Sequence, residues 1–434
     1  MIHTTPKKLT LFMLITLVTG NMIGSGMFLL PSSLAAFGSI SLISWLFTAG
    51  GSIILALVFA HLGKMMPKNG GPYAYTEAGF GPFIGFQTAF CYWVALWVGN
   101  AAIAIAMIGY LRVFFPILDS AHNTCIAAIV VVWLLTFVNI IGVRRAGMLQ
   151  LFATIFKLIP IILIALTGWF FFHPSYLTQH FNISHHSNFF AISNAATLTL
   201  WAFIGLESAT VPAGSVHNPK RNIPLATVIG TLIAAIAYIA SSTAIMGMIP
   251  AAQLAHSTSP FADAAKIILG PWGQWVIAAG AAISCFGALN GWTMLQGQIA
   301  MAAADNQQFP AIFGKRTRFD TPGWGLIITA VLITILLLFS ASPSLIHQFN
   351  LIILIATLAS LLPYFYTTMA SIILLKREGT WMKGATKHVV IAIIGAIYSA
   401  WAILGSGQDI VFYGVILLLC SVPLYAYMQI RVKK

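Results

Sequence analysis

The stretch Gly20–Gly26, with the sequence GNMIGSG, lies in the middle of the first long apolar run of this 434-residue chain. Glycines in a helix interior lower the stability of the helix. In lipid, a broken helix is tolerated only where the freed backbone groups are buried in protein or line a polar cavity. Gly20 and Gly24 also fit a close contact between two intact helices. Taken alone, the stretch leaves both interpretations open.

The composition indicates a membrane protein. Hydrophobic residues make up 59% of the chain and charged residues only 7%, whereas a soluble domain carries roughly 25% charged residues. This excludes a soluble enzyme. The net charge of +13 comes from basic residues in short loops between apolar runs, so nucleic acid is not expected as a partner. The dispersed cysteines form no metal-binding spacing, and neither a metal nor a cofactor is expected.

Twelve runs are long and apolar enough to cross a bilayer, which needs about 20 residues. They cover approximately residues 11–31, 38–60, 83–114, 121–141, 147–172, 191–213, 224–249, 273–303, 323–341, 349–375, 387–404 and 409–430. The loops on one side carry 18 basic residues and those on the other side carry 2, with Lys157 inside the fifth run. This asymmetry is the positive-inside pattern. We predict an all-α polytopic membrane protein with both termini in the cytoplasm.

A second interruption lies in the sixth run, at Trp201–Ser208. It combines Gly205 with Glu207, which is the one acidic residue inside a predicted span. Paired interruptions in corresponding positions of two halves indicate an inverted-repeat secondary transporter. The predicted units are a single domain over 1–434, two five-helix repeats over 10–172 and 191–375, and a final helix pair over 387–430.

The two interruptions together predict a site for the backbone of an amino acid. Amide groups at the start of the second half-helix, near Ser25 and Gly26, carry partial positive charge and suit an α-carboxylate. Carbonyl groups freed around Trp201 and Ile204 can accept hydrogen bonds from an α-ammonium. A carboxylate inside the membrane is costly, so Glu207 marks a substrate or proton pathway, a structural bond across the break, or both.

Three further residues inside the predicted spans are candidates for function. An asparagine at mid-membrane depth, such as Asn100, bonds across helices or to a ligand. The ring face of Trp292 attracts cations. Lys157 lies about halfway along its run, and a buried lysine readily exchanges its proton.

The ordered motifs resemble those of the basic amino acid/polyamine antiporters of the amino acid-polyamine-organocation (APC) superfamily, most closely the arginine/agmatine exchangers. The segments that carry the likeness are 21–31, 70–75, 92–100, 200–209, 218–224 and 291–293. The likeness covers nearly the whole chain. It implies a LeuT-type fold of twelve helices with helices 1 and 6 broken, often in a homodimer, in the inner membrane of a bacterium.

The resemblance implies a role for each matching position in cargo binding. The positions are Asn21, Ser25 and Gly26 for the carboxylate, Trp201 and Ile204 for the ammonium, and Ala95, Leu96, Asn100 and Trp292 for the guanidinium. Trp292 stacks on the guanidinium, and the Asn100 side chain and two backbone carbonyls bond to it.

The resemblance also implies residues that move or regulate the site. Tyr92 and Trp201 help to gate it, and Glu207 helps to cycle it. Tyr73 is tied to pH sensing through the likeness alone.

Two positions depart from the arginine/agmatine pattern. Ala356 stands where those exchangers have a serine hydroxyl near the guanidinium, and the loss of a buried hydrogen bond costs about 1 kcal/mol. Lys157 resembles a lysine of proton-coupled members of the superfamily. Trp93 and Trp97, in contrast, favour the arginine type.

The resemblance therefore implies exchange of extracellular arginine for intracellular agmatine, linked to a cytoplasmic decarboxylase and to acid resistance. Exchange of lysine for cadaverine or of ornithine for putrescine is the nearest alternative, because an ammonium also suits Trp292 and Asn100. A proton-coupled amino acid permease that uses Lys157 is a further alternative. The sequence shows neither the charge rings of a channel nor the nucleophile and base of a membrane enzyme, so no enzymatic activity is expected.

Overall fold

The structure is a computed structural model that describes residues 9–141, 160–179, 181–377 and 385–432. The α-helices in these ranges are α1 Leu11–Met22, α2 Ser25–Ala35, α3 Ser41–Met65, α4 Pro72–Phe80, α5 Pro82–Leu111, α6 Ala121–Ile141, α7 Pro160–Phe171, α8 Pro174–Thr178, α9 Asn188–Trp201, α10 Pro219–Met248, α11 Ala251–Leu254, α12 Pro260–Asp305, α13 Gly323–Phe339, α14 Leu345–Arg377, α15 Ala385–Gly405 and α16 Gln408–Val432. Among these residues the β structure is a single isolated bridge between Leu9 and Val216.

The helices are long and apolar enough to make this a multi-pass membrane protein. Nine helical segments in the described residues meet the length and hydropathy expected of a membrane span, with α1 and α2 taken together. The apolar helices α7 and α13 are shorter. The prediction of an all-helical polytopic membrane protein is thus confirmed for the described residues. Lys157, which the sequence analysis singled out, lies outside them.

The first span is broken at the glycine-rich stretch. α1 ends at Met22 and α2 begins at Ser25. Gly24 between them has φ −140° and ψ −143°, which is outside the helical region. Gly26 also makes a close contact, because a Cβ there would lie 2.8 Å from Cδ1 of Trp201. The stretch therefore both breaks the helix and allows close packing.

The sixth predicted span is broken as well. α9 ends at Trp201, and the chain continues in turns through Glu207 to a 3-10 helix at Ser208–Thr210. Gly205 has φ +108°, a conformation that favours glycine. A Cβ at Gly205 would lie 3.2 Å from Cζ2 of Trp292 and 3.3 Å from Cβ of Asn21. This glycine therefore lets α1, α12 and the broken span meet.

Hydrogen bonds join the two broken spans at two places. Near the breaks, the Asn21 amide nitrogen donates to the Ser208 hydroxyl at 2.9 Å. At the other end of α1, the Leu9 amide donates to the Ser215 carbonyl at 2.8 Å, and the His217 amide donates to the Leu9 carbonyl at 2.9 Å. α1 is thus attached at both ends to the segment that follows the second break.

Several helices lie outside the twelve predicted runs. They are α4, α8, α11 and the first part of α12, which kinks at Gly270, where φ is +70°. These helices are too short or too polar to register as apolar runs of spanning length.

Candidate functional site

A cavity lies where the two broken spans meet α5 and α12. It is lined by Asn21, Met22, Gly24, Ser25, Gly26, Ala95, Leu96, Gly99, Ile103, Trp201, Ile204 and Trp292. Its volume of about 30 Å³ corresponds to roughly two water molecules. The walls must therefore move apart before a molecule as large as an amino acid can fit.

The structure brings most of the predicted cargo-binding residues to this one cavity. Asn21, Ser25, Gly26, Ala95, Leu96, Trp201, Ile204 and Trp292 all line it. Asn100 and Ala356 do not line it, and both are fully buried. Ala95 and Leu96 lie inside the unbroken helix α5, so their carbonyls already take part in the helix's own hydrogen bonds.

The start of α2 provides the positive end of the cavity. Gly24 precedes the helix and offers no capping side chain, so the first backbone amides of α2 have no partner within the helix. The Ser25 hydroxyl accepts a bond of 3.3 Å from the indole nitrogen of Trp201. These amides and the hydroxyl suit an anionic group such as a carboxylate.

The second break provides acceptors on the opposite wall. Among the described residues, none donates a hydrogen bond to the carbonyl of Ile204. The Trp201 carbonyl differs from the sequence-based expectation, because it accepts a bond of 3.3 Å from the Ile204 amide. Within the described residues, Ile204 is therefore the unpaired carbonyl of the two, while the Trp201 carbonyl keeps one lone pair.

Trp201 closes one side of the cavity. Its indole ring fits between Gly26 on α2 and Gly99 on α5, and a Cβ at either glycine would collide with it. The ring is held by its bond to Ser25, while the Tyr238 hydroxyl donates to the carbonyl of Ala202 at 2.9 Å. The position of Trp201 therefore depends on the lack of a Cβ atom at Gly26 and Gly99 and on one weak hydrogen bond to Ser25.

Glu207 lies beneath the second break and is fully buried. Tyr92 donates to its Oε1 at 2.5 Å, and Tyr364 donates to its Oε2 at 2.5 Å. The backbone amide of Gly205 also donates to Oε2, at 3.2 Å. Three donors satisfy the acceptor-only, ionised form of a carboxylate. The sequence indicated Glu207 and Tyr92 but missed Tyr364, because a tyrosine inside an apolar span carries no distinguishing pattern.

Asn100 belongs to a buried chain of amides. Its Nδ2 donates to Oε1 of Gln296 at 2.7 Å, and Nε2 of Gln296 donates to the Thr329 hydroxyl at 3.1 Å. The chain joins α5, α12 and α13. The sequence analysis also missed Gln296, although Gln296 lies one helical turn after Trp292, on the same face of α12.

Tyr73 lies on α4, away from the cavity and next to Glu77 and Asn306. Burial raises the pKa of its phenol well above the usual range, and the Glu77 carboxylate raises that pKa further. Glu77 in turn accepts a bond of 2.8 Å from Gln308. Tyr73 therefore stays a neutral hydroxyl at physiological pH.

Trp93 lies at a different cavity from the one between the breaks. It lines an apolar cavity of about 170 Å³ with residues such as Phe86, Phe309 and Phe313. The structure therefore does not bring Trp93 to the cavity between the breaks, and its likeness to the arginine type stays a prediction. Within the described residues, no cluster of three or more His, Cys, Asp or Glu side chains is placed to hold a metal ion.

The helices, the paired breaks and the small cavity between them define a multi-pass membrane protein with a candidate site at the breaks. The chain matches the amino acid permease family over residues 9–421, and it belongs to that family.

Individual relatives cover almost all of the chain. It is 37% identical to the cadaverine/lysine antiporter of Escherichia coli strain K12 over 407 residues, which are 93% of this chain and 90% of that protein. It is 37% identical to the putrescine transporter PotE of Haemophilus influenzae over 425 residues, 98% of each chain. It is 36% identical to PotE of E. coli strain K12 over 426 residues, 98% of this chain and 97% of that protein.

Proposed function

We propose that this protein is a secondary antiporter that takes up an external basic amino acid in exchange for its internal decarboxylated diamine. Lysine and cadaverine are the first pair, and ornithine and putrescine are the second. The observation that carries the proposal is the cavity itself, which joins the amide end of α2, the free Ile204 carbonyl and the Trp292 ring. The names of the relatives support lysine, cadaverine and putrescine as cargoes.

Recognition of the cargo follows from the two ends of the cavity. The amides at Ser25 and Gly26 bind the carboxylate, and the Ile204 carbonyl binds the α-ammonium. A diamine lacks the carboxylate and binds through its two ammonium groups alone. Both cargoes share the distal cation, which lies against the face of Trp292.

The distal end favours an ammonium over a guanidinium. The relatives reported above are named for lysine, cadaverine and putrescine, whose distal groups are ammonium ions. Ala356 contributes no hydroxyl, and a planar guanidinium with five donors needs more acceptors than a compact ammonium. Exchange of arginine for agmatine, which the resemblance first implied, is therefore the least supported of the three pairs.

The proposed architecture is twelve spans with both termini in the cytoplasm of a bacterial inner membrane. Nine spanning segments, two shorter apolar helices and the broken sixth span together support this number. The two breaks, at Gly24 and Gly205, stand at corresponding places in repeats 10–172 and 191–375. A LeuT-type inverted repeat and a homodimer remain predictions of the resemblance.

The exchange moves charge. Lysine carries one net positive charge and cadaverine carries two, so each cycle exports one charge. A charge moved across 100 mV is worth about 2.3 kcal/mol. A cytoplasmic decarboxylase that consumes a proton would regenerate the diamine, and the pair would remove acid from the cell.

The residues around the cavity supply the gates. Trp201 must leave its place between Gly26 and Gly99 before cargo can enter. Glu207 holds Tyr92 and Tyr364 together below the site, and release of these bonds opens the other side. Lys157, as the titrating group of a proton-coupled permease, stays an alternative.

The test is exchange in proteoliposomes at acidic external pH. Vesicles are loaded with cadaverine, putrescine, agmatine or buffer, and the initial uptake of labelled lysine, ornithine and arginine is measured. We expect lysine uptake to be fastest with internal cadaverine and negligible in empty vesicles. Uptake into empty vesicles driven by a proton gradient would establish the permease instead.

A further inference from the structure

The buried chain of hydrogen bonds that runs from Asn100 through Gln296 to Thr329 has a fixed donor-to-acceptor direction. The Thr329 hydroxyl has one hydrogen and lies 2.9 Å from the carbonyls of both Gly325 and Leu326 in its own helix. It donates to one of them, so towards Gln296 it can only accept. Gln296 must then present its nitrogen to Thr329 and its oxygen to Asn100.

The reverse direction is less favourable by a count of hydrogen bonds. As observed, the chain has three bonds: Asn100 to Gln296, Gln296 to Thr329, and Thr329 to its helix. If both amides turned over, Thr329 would have to donate to Gln296, and the bond to the helix would be lost. All three side chains are buried, so no water replaces the lost bond.

The consequence lies at the free end of the chain. The nitrogen of Asn100 is engaged with Gln296, and its Oδ1 is buried without a hydrogen-bond partner among the described residues. Asn100 follows Gly99 directly and lies one turn from Leu96, and both of these line the cavity. Gln296 lies one turn from Trp292, which also lines it. Asn100 itself does not line the cavity in this closed form, and its free oxygen belongs to a residue within one helical turn of residues that do.

We propose that Gln296 and Thr329 are positioning residues that hold the Asn100 amide with only its oxygen available to the cargo. The distal end of the site then only accepts hydrogen bonds. It selects a protonated amine or guanidinium, which only donates, and disfavours a group that presents an oxygen acceptor. This inference rests on the proposed function and adds the basis of its selectivity for charged amines.

The test compares two inhibitors that differ only at the distal group. Cadaverine ends in an ammonium, and 5-aminopentan-1-ol ends in a hydroxyl that can both donate and accept. Each inhibits uptake of labelled lysine into vesicles loaded with cadaverine, and the ratio of their inhibition constants measures selectivity for the distal group. Pentylamine, which has no distal polar group, reports general loosening of the site.

Two variants release the amide by independent routes. Thr329→Val removes the terminal acceptor with little change of shape, and Gln296→Met removes the middle amide. Asn100 can then turn over, and we expect the selectivity ratio to fall by roughly tenfold in each variant, the value of about one hydrogen bond. If Gln296 and Thr329 had a purely structural role, the variants would weaken the binding of all three amines alike and leave the selectivity ratio unchanged.

Two controls complete the set. Thr329→Ser keeps the hydroxyl and should restore the wild-type ratio. Thr334→Val removes a hydroxyl that bonds to the Ala330 carbonyl at 2.8 Å on the same helix, and it should leave the ratio unchanged. If a variant exchanges too slowly to measure, the same ratio is obtained by calorimetric binding to the purified protein.

The outcomes separate this inference from the proposed function. If the wild-type protein exchanges no basic amino acid for a diamine, the proposed function is wrong. If the wild type exchanges lysine for cadaverine but both variants keep the wild-type ratio, the positioning role of Gln296 and Thr329 is wrong.

Discussion

The Cη2 atom of Trp201 lies 2.6 Å from the point where a Cβ would stand at Gly99. A real Cβ cannot approach a ring carbon so closely, so Gly99→Ala must displace the indole ring. The ring lies at the end of a side chain that can rotate, and the backbone can stay in place. We expect the variant to fold, to lose the closed position of Trp201 and to exchange lysine at least several times more slowly.

The matched control is Gly50→Ala on α3, where a Cβ would meet nothing within 4 Å. Alanine is favoured over glycine in a helix by about 1 kcal/mol, so this variant should be as stable as the wild type or slightly more stable. Exchange rate and thermal unfolding temperature are measured for both. Equal rates for Gly99→Ala and Gly50→Ala would contradict the gating role of Trp201.

The Glu207 carboxylate should couple its two tyrosines. Tyr92→Phe and Tyr364→Phe each remove one donor from a fully buried acceptor, which costs about 1.5–3 kcal/mol for a charged group. Because both bonds involve the same carboxylate, we expect the double variant to differ from the sum of the single variants. Thermal unfolding of the three variants gives this coupling, and strict additivity would show that the two bonds are independent.

Trp292 should contribute to the affinity for the distal cation. A cation over an indole face gains about 0.5–2 kcal/mol, so Trp292→Leu should raise the dissociation constant of cadaverine by roughly threefold to thirtyfold. Trp292→Phe keeps an aromatic ring and should lose less affinity for cadaverine. Trp324→Leu is the control, because this tryptophan on α13 is 54% exposed. If the ring face of Trp292 plays no part, calorimetric titration with cadaverine would give the same dissociation constant for Trp292→Leu and Trp324→Leu.

Tyr73 should not titrate in the physiological range. The pKa of its phenol is raised in the folded protein. The contribution of Tyr73 to folding stability is therefore complete below about pH 10, which is the pKa of tyrosine in the unfolded chain. The effect is lost only as the pH rises through the folded pKa. We expect Tyr73→Phe to leave the midpoint of the exchange profile between pH 5 and 8 unchanged. A shifted midpoint would contradict this expectation and support a part for Tyr73 in the pH response.

The sequence alone was sufficient to predict the two breaks in the helices. The glycine cluster at 20–26 and the single Gly205 are costly in a membrane helix, and Glu207 is costly in lipid, so these residues stand out in an apolar sequence. The same physical reasons placed Ser25 and Ile204 at the cavity, because both follow from where the helix ends.

The partners of these residues were not predictable in the same way. Tyr364 and Gln296 lie in ordinary apolar helices, and their importance comes from side chains on other helices that only the folded structure brings near. The sequence also gives no measure of distance, so it could not show that Trp93 lines a cavity other than the one between the breaks. It could not show that the Trp201 carbonyl is already engaged.

The double attachment of α1 has a mechanical consequence. The Asn21 bond to Ser208 and the Leu9 bonds to Ser215 and His217 hold α1 and the segment after the second break as one lever. If that lever tilts, Asn21 at the cavity and the backbone next to Glu207 tilt together. Release of Tyr92 and Tyr364 from Glu207 and release of the proposed cargo would then occur in one motion. A single hinge would suffice, whereas two segments that moved independently would each need a hinge.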